Sequence, residues 1–522
     1  MDYVDFQQAG HSSGSAPELV NIGSAADDTA QDEQDACVPA GERTLRILLA
    51  NPPNVRNNAY MLTGPNLGLL YLAGAIKQRW PRHVVRYVDA RLSFEEHIAE
   101  VVAFKPDIFA ISFASPFASV ATKVIKAVRS TFPTALIMCG GPHPSADPVS
   151  VLEQSPTEVC CVGEGEQTMV ELLEAYQEGR SFESISGIVF RDSSGCIRRT
   201  GDRKLVEDLD RIPPPDWDLI DFGHYSSWRE SRGSTPGIMI ASRGCPFKCV
   251  FCSSPVWRGR GTPLRKRSPA KVAEEVQVLY ERGVRELYVR SDEMNADLGW
   301  SIAVFDAIAS LGHKDLHLEC NLRAAPITRD LALAIRRANC WLCHIGVESG
   351  SQRVLDGIKK QITLTQVEKG LSTLQEYGVK AFATIMLYQI WERNGKLEFE
   401  TTAEVFKTLA YIASLRRRRL ITGFGWAFAI PYPGSELHAI CLKHRLSVAP
   451  QSQFVNGNQL TLRLPGIPKS EMVAAFACGV LLQVAFAVTN RDRMSHLGAN
   501  VTHTLSKAVS LMASVRPWKK SS

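Results

Sequence analysis

Residues 237–252 read GIMIASRGCPFKCVFC: an apolar run, Gly237–Ser242, passes through Arg243 and Gly244 straight into Cys245, Cys249 and Cys252. A short apolar run bounded by turn-forming residues predicts a buried strand. Three thiols within eight residues at its end can converge on one soft-metal centre. Downstream, strand-like runs recur at Glu286–Arg290, Leu316–Asn321, Leu342–Val347, Ala381–Leu387 and Leu420–Ile430. Helical spacing lies between them, at Ala270–Arg282, Ser301–Leu311, Asp330–Ala338, Thr365–Tyr377 and Thr402–Leu415, the first opened by a Ser268-Pro269 cap. Six strand–helix units predict a barrel or part of one, whose chemistry belongs at the carboxyl ends of the strands.

Upstream, a second alternating series starts at Thr44. Strands are predicted at Leu45–Ala50, Val84–Val88, Ile108–Phe113, Ala135–Cys139 and Val159–Val162, with helices at Leu67–Gln78, Phe94–Phe104, Ala118–Phe132 and Thr168–Glu178. This alternation implies an α/β fold with a parallel, doubly wound (Rossmann-like) sheet, and ligands on such sheets bind outside the carboxyl ends of the strands. The loops there, Asn51–Asn58, Ser112–Ser119, Gly140–Pro148 and Gly163–Gln167, are rich in Gly, Ser and Pro. Such loops suit a backbone that approaches a large ligand. The expected organisation is a disordered acidic tail at 1–43, the doubly wound domain at 44–192, a wrapping linker at 193–235, the barrel at 236–440 and a small, mainly helical region at 441–522.

A chain of 522 residues is too long for one ordinary domain, and 45% hydrophobic with 22% charged residues is normal for a globular protein. The first forty residues hold eight acidic side chains and no Lys or Arg, so the formal charge of +5 sits on a clearly basic remainder. The start is not basic-then-apolar, and the apolar stretch Met472–Val488 is broken by Gly479 and Gln483, which reads as a buried helix rather than a membrane span. Thirteen scattered cysteines argue for reduced thiols in the cytoplasm, with Cys139, Cys160, Cys161, Cys320 and Cys340 as small core residues. The basic stretches Arg258–Lys271 and Arg416–Arg419 lack the interleaved aromatics of a nucleic-acid surface and read as solvated faces.

A structural zinc site takes a closed set of four ligands, usually in two separated pairs. Here three cysteines are clustered, and the next candidates, Cys340 and Cys343, lie about ninety residues on. A four-iron cubane held by three thiolates leaves one iron open to a substrate or cofactor. The C-x3-C-x2-C run with Phe251 before its last Cys closely resembles the radical S-adenosylmethionine (SAM) enzymes. Gly68–Ala73, Gly140–Pro144, Val162–Glu166, Ile212–Trp217, Gly346–Ser351 and Pro431–Leu437 resemble the subgroup with a cobalamin-binding domain in front, the class B methyltransferases. The likeness spans roughly residues 44–440.

That resemblance implies three cofactors: a [4Fe-4S] cluster on Cys245, Cys249 and Cys252, SAM chelated to its open iron, and cobalamin on the first domain. It places Phe251 by the adenine, Asp292 and Glu293 at the SAM amino group, Arg323 at its carboxylate, and Glu348 and Ser349 at the ribose. It sets Ser115, Gly140, Gly141, His143 and Gly163 near the corrin or nucleotide tail. The first loop, Asn51–Asn58, contains no His, so cobalamin is expected with its own base displaced and no protein histidine on cobalt. The implied activity is methylation of an unactivated carbon, or phosphorus, of a small-molecule substrate, fed by a flavodoxin- or ferredoxin-type electron donor. The runner-up is a cyclase or rearrangement enzyme without net methyl transfer; a non-catalytic iron–sulfur and cobalamin protein is a remote third. Neither nucleic acid nor stable membrane insertion is expected. One departure stands out: the tight glycine turn the family has after its fifth strand is replaced by a longer, bulkier run at 388–398, with Glu400-Thr401 retained.

Overall fold

The structure, a computed structural model, describes residues 43–53, 64–225, 232, 235–254, 256, 262–446 and 460–489. The acidic tail at 1–42 and much of the first loop, 54–63, lie outside the described residues.

The upstream series forms a seven-stranded sheet. Its strands are β1 (Arg46–Ala50), β2 (Val84–Val88), β3 (Ile108–Ser112), β4 (Leu136–Gly140), β5 (Val159–Cys161), β6 (Ile188–Arg191) and β7 (Ile197–Arg199), in the order β2-β1-β3-β4-β5-β6-β7. The first five are mutually parallel, as the alternation predicts, and β6 and β7 add an antiparallel margin. That margin carries no helix between its strands, so the alternation rule gave no sign of it; β7 falls within the 193–235 stretch. The helices are α1 (Leu67–Arg79), α2 (Phe94–Phe104), α3 (Ala118–Thr131), two short turns α4 (Pro142–Ala146) and α5 (Pro148–Gln154), and α6 (Glu166–Gln177). Ser93 and Glu96 close a capping box on α2, which fixes where that helix starts. Burial is nearly complete along β1, β3 and β4, because helices cover both faces.

From Pro236 a second sheet holds six parallel strands in plain sequence order: β8 (Pro236–Ile240), β11 (Glu286–Arg290), β12 (His317–Arg323), β13 (Cys340–Glu348), β14 (Lys380–Leu387) and β17 (Gly423–Phe428). β8 and β17 are its two ends, so the sheet is a partial barrel. A small pair, β9 (Ser242–Arg243) with β10 (Arg265–Lys266), follows β8. Covering helices are α7 (Pro269–Glu281), α8 (Leu298–Ser310), α9 (Arg329–Arg337), α10 (Gln352–Gly357), α11 (Leu364–Glu376), α12 (Thr402–Arg417) and α13 (Glu436–Lys443). Ser268 caps α7 through the Lys271 amide with Pro269 in its first turn, as the sequence predicts.

The bulky run after the fifth strand is a β-hairpin, β15 (Ile390–Arg393) with β16 (Lys396–Phe399). Its two turn residues, Asn394 and Gly395, both have positive φ, which is the backbone a two-residue hairpin turn demands. Trp391 is wholly buried under it, donating from Nε1 to Glu398 (3.0 Å). The last described helix, α14 (Lys469–Thr489), covers the edge of β17. Phe476 packs on Trp426 at 4.3 Å, and Gln483 donates to the edge carbonyl of Phe424 at 2.9 Å. By length and composition it could cross a membrane, but Met472, Ala475, Phe476 and Val480 are buried against the barrel.

Candidate functional site

The three cysteines lie on the loop that leaves β9, at the carboxyl end of the first barrel strand. Gly244 makes that loop possible. Its φ is +92°, and a Cβ there would stand 2.4 Å from the Pro263 carbonyl. Its amide donates to Asp292 Oδ2 at 2.6 Å, tying the start of the loop to the end of β11. All three thiols are half-buried. Burial pushes Cys245 up to about 11, with Glu293 and the other two cysteines adding to the rise. Cys249 is also raised by burial, although Lys360 and Arg323 pull the other way. Three thiols that feel one another beside two cations suit a soft metal cluster, which binds as thiolate and displaces the protons.

Next to this loop is a cavity of about 300 Å3 at the carboxyl ends of β11–β14. It is lined by Tyr288, Asp292, Glu293, Asn321, Arg323, His344, Gly346, Lys360 and Thr384, among others. Two of its buried polar atoms make no hydrogen bond: Glu293 Oε1 and Arg323 Nη2. Burial raises the Glu293 carboxyl, offset in part by Lys360 and Arg323. Asn295 holds the Arg323 backbone from both sides, accepting from its amide and donating to its carbonyl (both 2.9 Å), and the guanidinium lies 3.7 Å above the Phe247 ring. One buried anion and one buried cation, each with a spare hydrogen-bonding atom, match the ammonium and carboxylate of an amino acid.

The structure brings Asp292, Glu293 and Arg323 to this cavity beside the cysteine loop. Glu348 and Ser349 are satisfied by protein instead. Glu348, at φ +64° beyond a register shift in β13, pairs with Lys360 at 2.7 Å. Gly346 leaves room for that pair, since a Cβ there would stand 2.6 Å from Glu348 Oε1 and 2.8 Å from Lys360 Nζ. Ser349 donates to the buried Glu400 at 3.1 Å. Phe251 is half-buried, with Lys360 Nζ 6.0 Å from its ring centre. Lys360 also lines the cavity, a placement that the sequence pattern does not reveal. Burial alone would depress its ammonium, yet Glu348 and Cys249 outweigh that and leave it raised. Its only sequence signal was a Lys-Lys pair ending a short helix.

On the first domain, Ser115, Gly140, Gly141, His143 and Gly163 fall at or just beyond the carboxyl ends of β3, β4 and β5, with Gly140 closing β4 and His143 on α4. Ser115 and His143 are both buried and share a hydrogen bond of 3.0 Å. Gly163 donates to Ser145 Oγ at 3.1 Å. His97 is fully buried, with Nε2 3.1 Å from the Asn51 carbonyl just beyond β1. Burial lowers it to about 4, so it is neutral.

The basic stretch read as solvated is in part buried. Arg265 pairs bidentately with Glu164 (2.6 and 2.9 Å), and Arg267 pairs with Glu275. Spacing alone could not reveal this, because Glu164 is about a hundred residues away.

A doubly wound domain followed by a partial barrel with three cysteines after its first strand defines the radical SAM class with a forward cobalamin module. Family models agree: residues 54–173 match the B12 binding domain, and residues 239–393 match the radical SAM superfamily. The chain thus carries a radical SAM domain with a B12-binding domain in front of it. It is 28% identical to an uncharacterised methyltransferase of Pyrococcus horikoshii, over 77% of this chain and 84% of that protein. It is also 28% identical to the anaerobic magnesium-protoporphyrin IX monomethyl ester cyclase of Rubrivivax gelatinosus, over 75% and 69%. The structure of TsrM, a radical SAM methyltransferase of Kitasatospora setae, matches with a TM-score of 0.65 at 16% identity, covering 90% of this chain and all of that one.

Proposed function

We propose that this protein is a cobalamin-dependent radical SAM methyltransferase that adds a methyl group to an unactivated carbon, or phosphorus, of a small-molecule metabolite. The observation that carries the reading is the cavity beside the cysteine loop, where Glu293 Oε1 and Arg323 Nη2 are buried without partners. When bound, the cluster with SAM supplies a 5′-deoxyadenosyl radical and the cobalamin supplies a methyl group. The chain's own residues position and shield that chemistry. Cys245, Cys249 and Cys252 would hold the cluster; Glu293 and Arg323 would clamp the SAM amino acid; Asp292 fixes the cysteine loop through Gly244; Glu348 pairs with Lys360 at the cavity wall. Ser115, Gly140, Gly141, His143 and Gly163 would line the cobalamin edge, and the first loop, Asn51–Asn58, offers cobalt no histidine. Electrons come from a flavodoxin- or ferredoxin-type donor.

The likeness to a cyclase supports one second reading, ring formation without net methyl transfer. Incubation of reconstituted protein with methyl-labelled SAM and candidate metabolites separates the two. The proposal expects a product heavier by one labelled methyl group. A product that forms with SAM cleavage but carries no label rejects it in favour of the cyclase.

A further inference from the structure

We propose that Glu164 and Glu166 are positioning residues: with Arg243 and Arg265 they form a buried charge bridge that sets the spacing between the cobalamin-side loop and the cluster-side loop. The inference rests on the functional reading above, which puts one cofactor at each end of the bridge.

Glu164 follows directly on Gly163 in the loop between β5 and α6, and Glu166, two residues on, is the first residue of α6. Arg243 directly precedes Gly244 and Cys245. Arg243 Nη2 meets Glu166 Oε1 at 2.6 Å, and its Nη1 lies 3.5 Å from Glu164 Oε1. Arg265, on the strand paired with β9, grips both oxygens of Glu164 at 2.6 and 2.9 Å and also donates to the Val206 carbonyl at 2.7 Å. All four side chains are at least 88% buried. Two cations and two anions make the set neutral, so charges that would be costly alone are compensated as a group.

An apolar seam would hold two domains together without fixing their registration. Planar guanidinium forks on carboxylates are directional and tolerate little sliding. The far ends of the bridge are anchored too. Gly163 donates to Ser145 on α4, the short helix after β4, and Gly244 donates to Asp292 at the proposed SAM cavity. Beneath it, the Arg243 guanidinium sits 5.0 Å above the buried ring of Tyr71, from α1 of the first domain. Displacing Glu164 therefore acts on Gly163 and Cys245 together, although neither is its direct partner.

The test uses the full chain and the variants Glu164→Gln, Arg265→Gln and Arg265→Lys. Without cofactors, hydrogen exchange should quicken roughly ten-fold in Glu164→Gln at both segments 160–167 and 241–246, while β1 and β3 stay protected. With both cofactors loaded, pulsed electron–electron spectroscopy between cob(II)alamin and the reduced cluster should give a broadened or shifted distance distribution in every variant that folds. Arg265→Lys, which keeps the charge and loses the fork, should shift it least. Faster exchange confined to 160–167, or an unchanged distance distribution in both Arg265 variants, would overturn the bridge. Wild-type protein that takes up neither cofactor would overturn the functional reading instead.

Discussion

Replacing Glu293 by Gln should move stability and SAM affinity in opposite directions. The carboxylate is 8% exposed, burial raises it, and one oxygen has no partner. In the cofactor-free protein the neutral amide relieves that strain, so stability should hold or rise by up to about 1 kcal/mol, which is a gain of about 2–4 °C in Tm for a domain of this size. The SAM ammonium, by contrast, keeps an amide acceptor but loses the carboxylate charge, a difference of about 1–1.5 kcal/mol, which raises Kd by about 5- to 13-fold. Thermal unfolding of the apo-protein and calorimetric titration of the cluster-loaded protein with SAM read the two effects separately. SAM affinity within two-fold of wild type would refute the assignment. So would a loss of apo stability beyond about 1 kcal/mol, because Glu293 would then be holding the fold through Lys360 and Arg323.

Gly244→Ala should lose most of its iron after reconstitution, measured against protein, because the positive φ and the Pro263 carbonyl at 2.4 Å leave no room for a methyl group. Glu400, buried with Ser349, Thr408 and the Gln389 amide around it, is raised by burial to about 8. The native state thus keeps a proton that the unfolded chain releases near its ordinary value. This contribution to stability is full below pH 4.5 and is lost as pH rises to about 8, at about 1.4 kcal/mol per pH unit in that window. Melting curves of Glu400→Gln should show a shallower fall between pH 5 and 8 than wild type; parallel curves would refute the point. Cys343→Ala should keep full iron content while losing about 1 kcal/mol of stability by denaturant unfolding.

Most of the fold was legible because it is written in local patterns. Alternation of apolar runs with helical spacing located all six barrel strands and the five parallel strands of the first sheet within a few residues. The antiparallel margin β6–β7 and the hairpin β15–β16 escaped, although Asn394-Gly395 between two four-residue runs is a strong hairpin signal. Of the proposed site residues, the cysteines stand out in the sequence as a cluster, and Asp292, Glu293 and Arg323 stand out because each falls at or just past a strand end. Lys360, Arg243 and Arg265 do not, because what makes them matter is a carboxylate brought close only by the tertiary fold: Glu348 for the first, Glu164 and Glu166 for the others.

The two cysteine trios show why distance alone does not identify a metal site. Among the described residues, Cys320, Cys340 and Cys343 have sulfurs all within 4.8 Å of one another, and they are fully buried. Yet Cys343 alternates along β13 with His344, which lines the cavity, so the trio lies on the helix-covered side of the sheet. Burial holds the Cys340 thiol well above its ordinary range, and Cys320 and Cys343 touch at 3.6 Å as neighbours in register on adjacent strands. That is how small core residues pack. Cys245, Cys249 and Cys252 are half-buried on a loop, with Lys360 and Arg323 beside them and a cavity opening at their side. A cluster that must exchange electrons and admit a cofactor needs that access and that positive field. The trio in the core has neither, which supports the proposed assignment of the cluster to Cys245, Cys249 and Cys252 with no fourth ligand from the core.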